Sequence, residues 1–195
     1  MQTVKISPEK KAEIRHKTAK PLLYLAIVAI VMLFAGLTSA YVVSKATRVW
    51  LDVELPRAFW FSCAIILTSS ATIYWALISA RKNEVKKIKT ALMITFFLGI
   101  GFCVSQYLGW SDLYSRKIVF AGKFSNAAGS YIYFLSALHV LHLLGGMIAL
   151  SVCVFNSSRN KYNSENTLGL ELCSIYWHFL DFVSIYLFLF LYFMR

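Results

Sequence analysis

Charge is scarce in this chain of 195 residues, and acidic charge is scarcer still: 15% of residues are charged, and only 9 of them are Asp or Glu. A typical soluble domain carries about 25% charged residues. With 58% of residues hydrophobic and a mean hydropathy of +0.62, the composition excludes an ordinary water-soluble globule. Disorder is excluded as well, because 16% aromatics lie at the opposite compositional pole. The sequence has no Gly-rich phosphate loop, no nucleophile elbow and no zinc-type Cys pair. It also lacks the alternating segments of about ten residues that mark a transmembrane β-barrel. The four cysteines, Cys63, Cys103, Cys153 and Cys173, are far apart in sequence and read as small apolar packing residues.

What the chain does have is five long apolar runs, at about 22–43, 58–80, 90–110, 128–155 and 168–194. A hydrocarbon core of about 30 Å needs roughly 20 helical residues, so each run can cross a bilayer. The expected fold is therefore all-α, an integral membrane bundle of five transmembrane helices. Residues 1–21 form an N-terminal segment, and 22–195 form a single transmembrane domain. The first run is longer than the h-region of a cleaved signal and is preceded by twenty mostly polar residues, so it reads as a retained span.

The basic excess, a formal net charge of +11, would raise nucleic acid as a partner in a soluble protein. Its distribution removes that need. Connectors on alternate sides of the spans hold 13 and 7 Lys+Arg, and the richer side includes the N-terminal segment and the loop Arg81–Lys89. The positive-inside rule then places the N-terminus in the cytoplasm and the C-terminus outside.

Polar groups are rare inside the spans, and they gather in the last two. An ionisable side chain near mid-helix costs roughly 2.5–3.5 kcal/mol on insertion scales and normally faces protein or water. His139 and His142 stand three residues apart on span four, with Gly146 a turn further on and Gly145 beside it. Glu171, Ser174, His178 and Asp181 form one helical stripe on span five. His142, His178 and Asp181 come at matched depth, which predicts an interhelical polar contact near the midplane. Gly145 and Gly146 would let the two backbones approach. Four readings fit the cluster: a buried hydrogen-bond network, a bis-histidine haem site on His142 and His178, a proton or ion path through Asp181 and Glu171, and a His/His/Asp metal site.

The same residues carry a resemblance. Ile175–Tyr186, IYWHFLDFVSIY, resembles the YWHFVDVVW-type signature in the last helix of cytochrome c oxidase subunit III. His139–Gly146, HVLHLLGG, is similar to the HGLHVIIG-type signature of that family's penultimate helix. Glu171 matches the glutamate upstream of YWHF, and Gln106 matches a glutamine in a middle helix. The familiar subunit has seven helices, and this chain resembles the shorter, five-helix bacterial type.

The resemblance implies an accessory, non-redox subunit of a haem-copper terminal oxidase in aerobic respiration, in the bacterial inner membrane. Such a subunit would pack against catalytic subunit I, with subunits II and IV and a larger respiratory supercomplex as further partners. It would carry no haem, copper or other metal, bind phospholipid, and support proton uptake and turnover stability. His139, His142, Glu171, His178, Asp181, Gln106, Tyr176 and Trp177 would then be polar-network and lipid-cleft residues, and none would be catalytic. A quinol oxidase, a nitric oxide reductase accessory protein and an independent bis-histidine haem b protein are the alternatives. The chain departs from the pattern at Ala80–Lys82, which lacks the family's membrane glutamate, and at Gly109, Val140 and Ser184.

Overall fold

A computed structural model describes residues 8–47, 50, 53–122, 126–159, 162 and 167–194. These residues form five helices: α1 (Pro8–Thr47), α2 (Arg57–Arg81), α3 (Val85–Ser115), α4 (Ala127–Ser158) and α5 (Leu168–Phe193). Each contains a stretch long and apolar enough to cross a membrane. The described residues thus form a five-helix, all-α protein in which every helix has membrane-spanning capacity. α2 and α5 coincide closely with the apolar runs read from the sequence. α1 and α3 run well past theirs, because a helix continues through polar residues as readily as through apolar ones, whereas an apolar run stops at the first charge.

Short links make neighbouring helices antiparallel. Lys82–Glu84 joins α2 to α3, and Asn83 adopts the left-handed conformation (φ 56°). Its N–H donates to the Ala80 carbonyl (3.1 Å) and the Glu84 N–H to that of Ser79 (3.0 Å), which closes the helix end with paired 5→2 and 6→1 bonds. The end of α3 repeats the device, with Lys117 left-handed and Ile118 N–H donating to the Leu113 carbonyl. Asn126 caps α4 by accepting from Ala128 N–H at 2.8 Å.

The buried positions follow a seven-residue repeat. On α2 they include Ser62, Ile66, Ser69, Ile73, Ala76 and Ala80. On α3 they include Ile88, Leu92, Thr95, Gly99, Phe102, Gln106, Gly109 and Leu113. α5 repeats the pattern from Leu170 through Cys173, Trp177, Leu180, Ser184 and Leu187 to Leu191. Alternate spacings of three and four keep one stripe facing its neighbour over the full helix length. Small residues on these stripes let backbones close in, the usual basis of helix association where lipid removes the hydrophobic driving force.

α2, α3, α4 and α5 form a ring, each packed on the next and α5 back on α2. Among the described residues, α1 lies outside it, packed against α4 and α5. Its attachment is concentrated in its second half. Thr38 Oγ1 meets Tyr186 Oη at 3.0 Å, Ser44 Oγ meets Tyr131 Oη at 2.9 Å, and Lys45 Nζ donates to the Met194 carbonyl at 2.8 Å. Upstream, Leu22, Leu25, Val28 and Met32 are exposed. A cleft of about 450 Å³ opens there between Leu23 of α1 and the adjoining ends of α4 and α5. Lys20, Arg81, Lys87 and Arg159 lie at one end of the bundle, its basic end.

Candidate functional site

The signature residues of α5 converge on the middle of the ring, and Trp177 is their centre. Its side chain is fully buried. The indole Nε1–H donates to Ser69 Oγ of α2 at 3.0 Å. Two glycines make room for the ring. A Cβ at Gly99 of α3 would stand 3.1 Å from Trp177 Cη2, and one at Gly146 of α4 would stand 3.5 Å from Trp177 Cε3. One side chain therefore touches all three other helices of the ring, through a hydroxyl on one and bare backbone on the other two.

The next residue repeats the docking one step outward. His178 Nδ1 pairs with Ser70 Oγ at 2.6 Å, so consecutive residues of α5 engage consecutive serines of α2. Asp181, 4% exposed, lies with Oδ2 3.9 Å from His178 Nδ1 on the same helix, and neither carboxyl oxygen has a hydrogen-bond partner among the described residues.

His142 does not join them. Its Nδ1 bonds the Leu138 carbonyl one turn back at 2.7 Å, and its ring lies 5.6 Å from that of Phe34 on α1. The interhelical contact of His142 with His178 and Asp181 expected from matched depth is therefore not formed. Depth along a helix fixes height and leaves direction open, and the two helices turn these groups to different neighbours. His142 and His178, the pair a bis-histidine haem site would use, have different hydrogen-bond partners here, Leu138 and Ser70. Among the described residues, no three His, Cys, Asp or Glu side chains gather as a metal site would require.

Gly146 does mark a close approach of α4 and α5: a Cβ there would lie 2.9 Å from Leu180 Cδ1 and 3.4 Å from Tyr176 Cε1. Tyr176 closes the same junction by donating to the His142 carbonyl at 3.2 Å. Gly145 is different. It is exposed, and a Cβ would meet only Tyr176 Oη, at 3.8 Å. The close-packing role expected of both glycines falls to Gly146 alone.

Gln106 and His139 flank a second polar patch. Gln106 Nε2 donates to Ser62 Oγ at 3.2 Å, and Ser62 donates to Ser105 Oγ at 2.9 Å, tying α2 to α3. His139, 3% exposed, has no hydrogen bond at either ring nitrogen among the described residues and packs edge-on between Phe34 (6.4 Å) and Phe102 (5.8 Å). It shares a small cavity of about 30 Å³ with Gln106, Ser62, Ser136 and Ser184. Glu171 is far from both patches, at the basic end. It accepts from Lys20 Nζ of α1 at 2.7 Å and from Thr167 Oγ1 at 3.0 Å. Its place in the first turn of α5 is favourable for an acid.

Sequence reasoning missed the α2 partners altogether. Ser62, Ser69 and Ser70 lie in an uncharged run with nothing ionisable to draw notice. The available signal was periodic: Ser62, Ser69 and Ala76 are small residues seven apart. α2 and α3 are further tied by Thr72 Oγ1 and Thr95 Oγ1 at 2.8 Å.

Comparisons with known proteins agree on one family. The family model described as cytochrome c oxidase subunit III matches residues 16–195. A cytochrome c oxidase subunit 3 of Corynebacterium diphtheriae is 27% identical over 172 residues, covering 84% of this chain and 82% of that protein. A probable cytochrome c oxidase subunit 3 of Nocardia farcinica is 29% identical over 174 residues with the same coverage. A probable subunit 3 of Rickettsia felis is 34% identical over 131 residues, which is 66% of this chain and 45% of that protein.

Proposed function

Because the chain belongs to the cytochrome c oxidase subunit III family, we propose that it serves its oxidase as a non-redox helical scaffold. It is a multi-pass membrane protein and a subunit III of a haem-copper cytochrome c oxidase, an oxidoreductase complex built with other oxidase subunits. In this reading it packs against catalytic subunit I, beside subunits II and IV, in the bacterial inner membrane. Its basic end faces the cytoplasm, as the distribution of Lys and Arg favours. Haem and copper reside in the partner subunits, phospholipid occupies the surface clefts, and the subunit supports proton uptake and endurance during turnover.

The observation that carries the scaffold reading is how the signature residues are used. Trp177 is committed to Ser69, His178 to Ser70 and Glu171 to Lys20, each on another helix. Side chains that bind helices together in this way are occupied with assembly.

The test is purification of the tagged chain in mild detergent, identification of the partner chains, and a reduced-minus-oxidised spectrum. Oxidase subunits should co-purify, and haem absorption should follow them. A Soret band that stays with this chain after the partners are stripped away would refute the reading. A copper-binding partner domain identifies cytochrome c as donor, and its absence would favour a quinol oxidase.

A further inference from the structure

Two of the four cysteines, 20 positions apart in sequence, are brought together by the fold. Cys153 lies five residues before the end of α4 and Cys173 five residues after the start of α5, so the antiparallel helices set them side by side at the basic end. The two thiols are close neighbours on the wall of one cleft. Cys153 Sγ also faces the Gly169 carbonyl at 3.7 Å. Tyr162, in the α4–α5 connection, sets its hydroxyl beside Gly169, 3.1 Å from where a Cβ there would stand, and so next to the same sulfur. Burial, reinforced by Cys153, holds the Tyr162 hydroxyl pKa above its usual value, so Tyr162 remains a proton donor toward that sulfur. Although shielded from bulk solvent, both cysteines line the cleft of about 450 Å³ that opens beside α1. A small solute therefore has a route to them. Cys63 on α2 and Cys103 on α3 have no such pairing: each stands on a different helix without a second thiol against it.

We propose that Cys153 and Cys173 are a redox-active pair, which a hydroperoxide converts into a disulfide linking α4 to α5 at the floor of this cleft. A thiolate is the attacking species, and a hydrogen-bond donor beside the sulfur stabilises it. Cys153 has that donor in Tyr162, which makes it the first sulfur to react. Its sulfur attacks one oxygen of the peroxide, the O–O bond breaks, and a sulfenic acid and one water result. The Cys173 sulfur then attacks the sulfenic sulfur and displaces hydroxide, which leaves as a second water with the remaining thiol proton. Two thiols and one hydrogen peroxide give one disulfide and two waters. Each sulfur loses one electron, and the two oxygens of the broken bond take them up. The linkage would fix the α4–α5 junction directly beneath the side of the ring that α1 leaves open. The proposal concerns this chain's own thiols and stands whichever subunits surround it.

The test uses the intact complex in lipid nanodiscs, exposed to hydrogen peroxide up to the dose that oxidises Met194, a methionine 39% exposed at the end of α5. Remaining thiols are alkylated under denaturing conditions and the chain is mapped by mass spectrometry. Cys153 and Cys173 should lose alkylation together and appear as one linked peptide short of two hydrogens. Dithiothreitol should restore both, while Cys63 and Cys103 stay alkylated throughout. In Cys173→Ser, Cys153 should halt at a sulfenic acid that dimedone traps. Full alkylation of Cys153 and Cys173 at the Met194-oxidising dose would overturn the proposal. So would their conversion to separate sulfinic acids without linkage.

Discussion

Removing the Trp177–Ser69 bond is the most direct way to ask whether the signature tryptophan holds the ring together. Ser69→Ala deletes the acceptor and leaves an indole N–H at a fully buried position. An unsatisfied buried donor costs about 1–3 kcal/mol. Trp177→Phe removes the donor, and with it the ring carbons that fill the space left by Gly99 and Gly146. A residual void of ~35 Å³ costs about 0.8 kcal/mol at about 24 cal/mol per Å³, and the lost transfer free energy brings the total to roughly 2–3 kcal/mol. Measured couplings of interhelical hydrogen bonds in a membrane protein average about 0.6 kcal/mol and reach about 1.7. The bond here is 3.0 Å long and fully buried, so the double variant should cost about 1 kcal/mol less than the sum of the single ones. Reversible unfolding by SDS in mixed micelles, followed by loss of helix signal, gives the four free energies. Additivity within about 0.4 kcal/mol would mean the two side chains do not interact. A Trp177→Phe variant as stable as the wild type would refute the central role of the ring altogether.

Gly146→Leu should be strongly destabilising, by about 1–3 kcal/mol or more from overpacking against Leu180 and Tyr176, and should reduce the yield of assembled oxidase. Gly145→Ala, one residue away and facing outward, should leave both stability and yield unchanged; equal effects at the two sites would contradict the packing described. Glu171→Gln breaks an ion pair whose side chains are 22% and 45% exposed and screened by solvent, so it should cost far less than Ser69→Ala. That cost should shrink as salt is raised in a thermal-release assay of the subunit, and a salt-independent loss would place Glu171 in a buried role. Ser70→Ala should cost less than Ser69→Ala, because the partner His178 is half-buried and its ring can turn to other groups. The reverse order in the same SDS titration would mean that His178, and not Trp177, dominates the α2–α5 junction.

The helices were legible because an apolar run of membrane length has one common solution, and because charges mark where it ends. What the runs could not supply was direction around the helix axis. His142 and His178 were expected at one depth, yet one faces Phe34 on α1 and the other Ser70 on α2. A stripe on one helix says which residues share a face, and only the partner's stripe says which neighbour that face meets. The serines of α2 were hidden for a different reason: a hydroxyl is cheap enough in a membrane helix, where it can bond the preceding turn's carbonyl, that its presence raises no alarm. Ser62 and Thr95 do bond backwards in this way, to Ala58 and Ala91, and each also reaches across to another helix. The cysteine pair was invisible for the same reason as the serines, since no single residue of it is unusual.

The arrangement also explains why the informative residues come as a set. In water a tryptophan could be buried against almost any apolar surface, because the solvent itself supplies the force. In lipid the tails are as apolar as leucine, so burial of the ring between helices gains only what close contact and hydrogen bonding provide. Trp177 therefore stabilises the ring only if Ser69 accepts its proton and Gly99 and Gly146 leave its faces uncovered. A side chain at Gly99 would press on Met147 Sδ at 2.5 Å and on the indole at 3.1 Å, whereas at Gly146 the squeeze falls first on Leu180 at 2.9 Å and reaches the indole through it. The tryptophan, the serine and the two glycines act as one packing element spread over four helices. Substituting any one of them should lower the value of the others, so Gly99→Ala should reduce the Trp177–Ser69 coupling as well as overall stability.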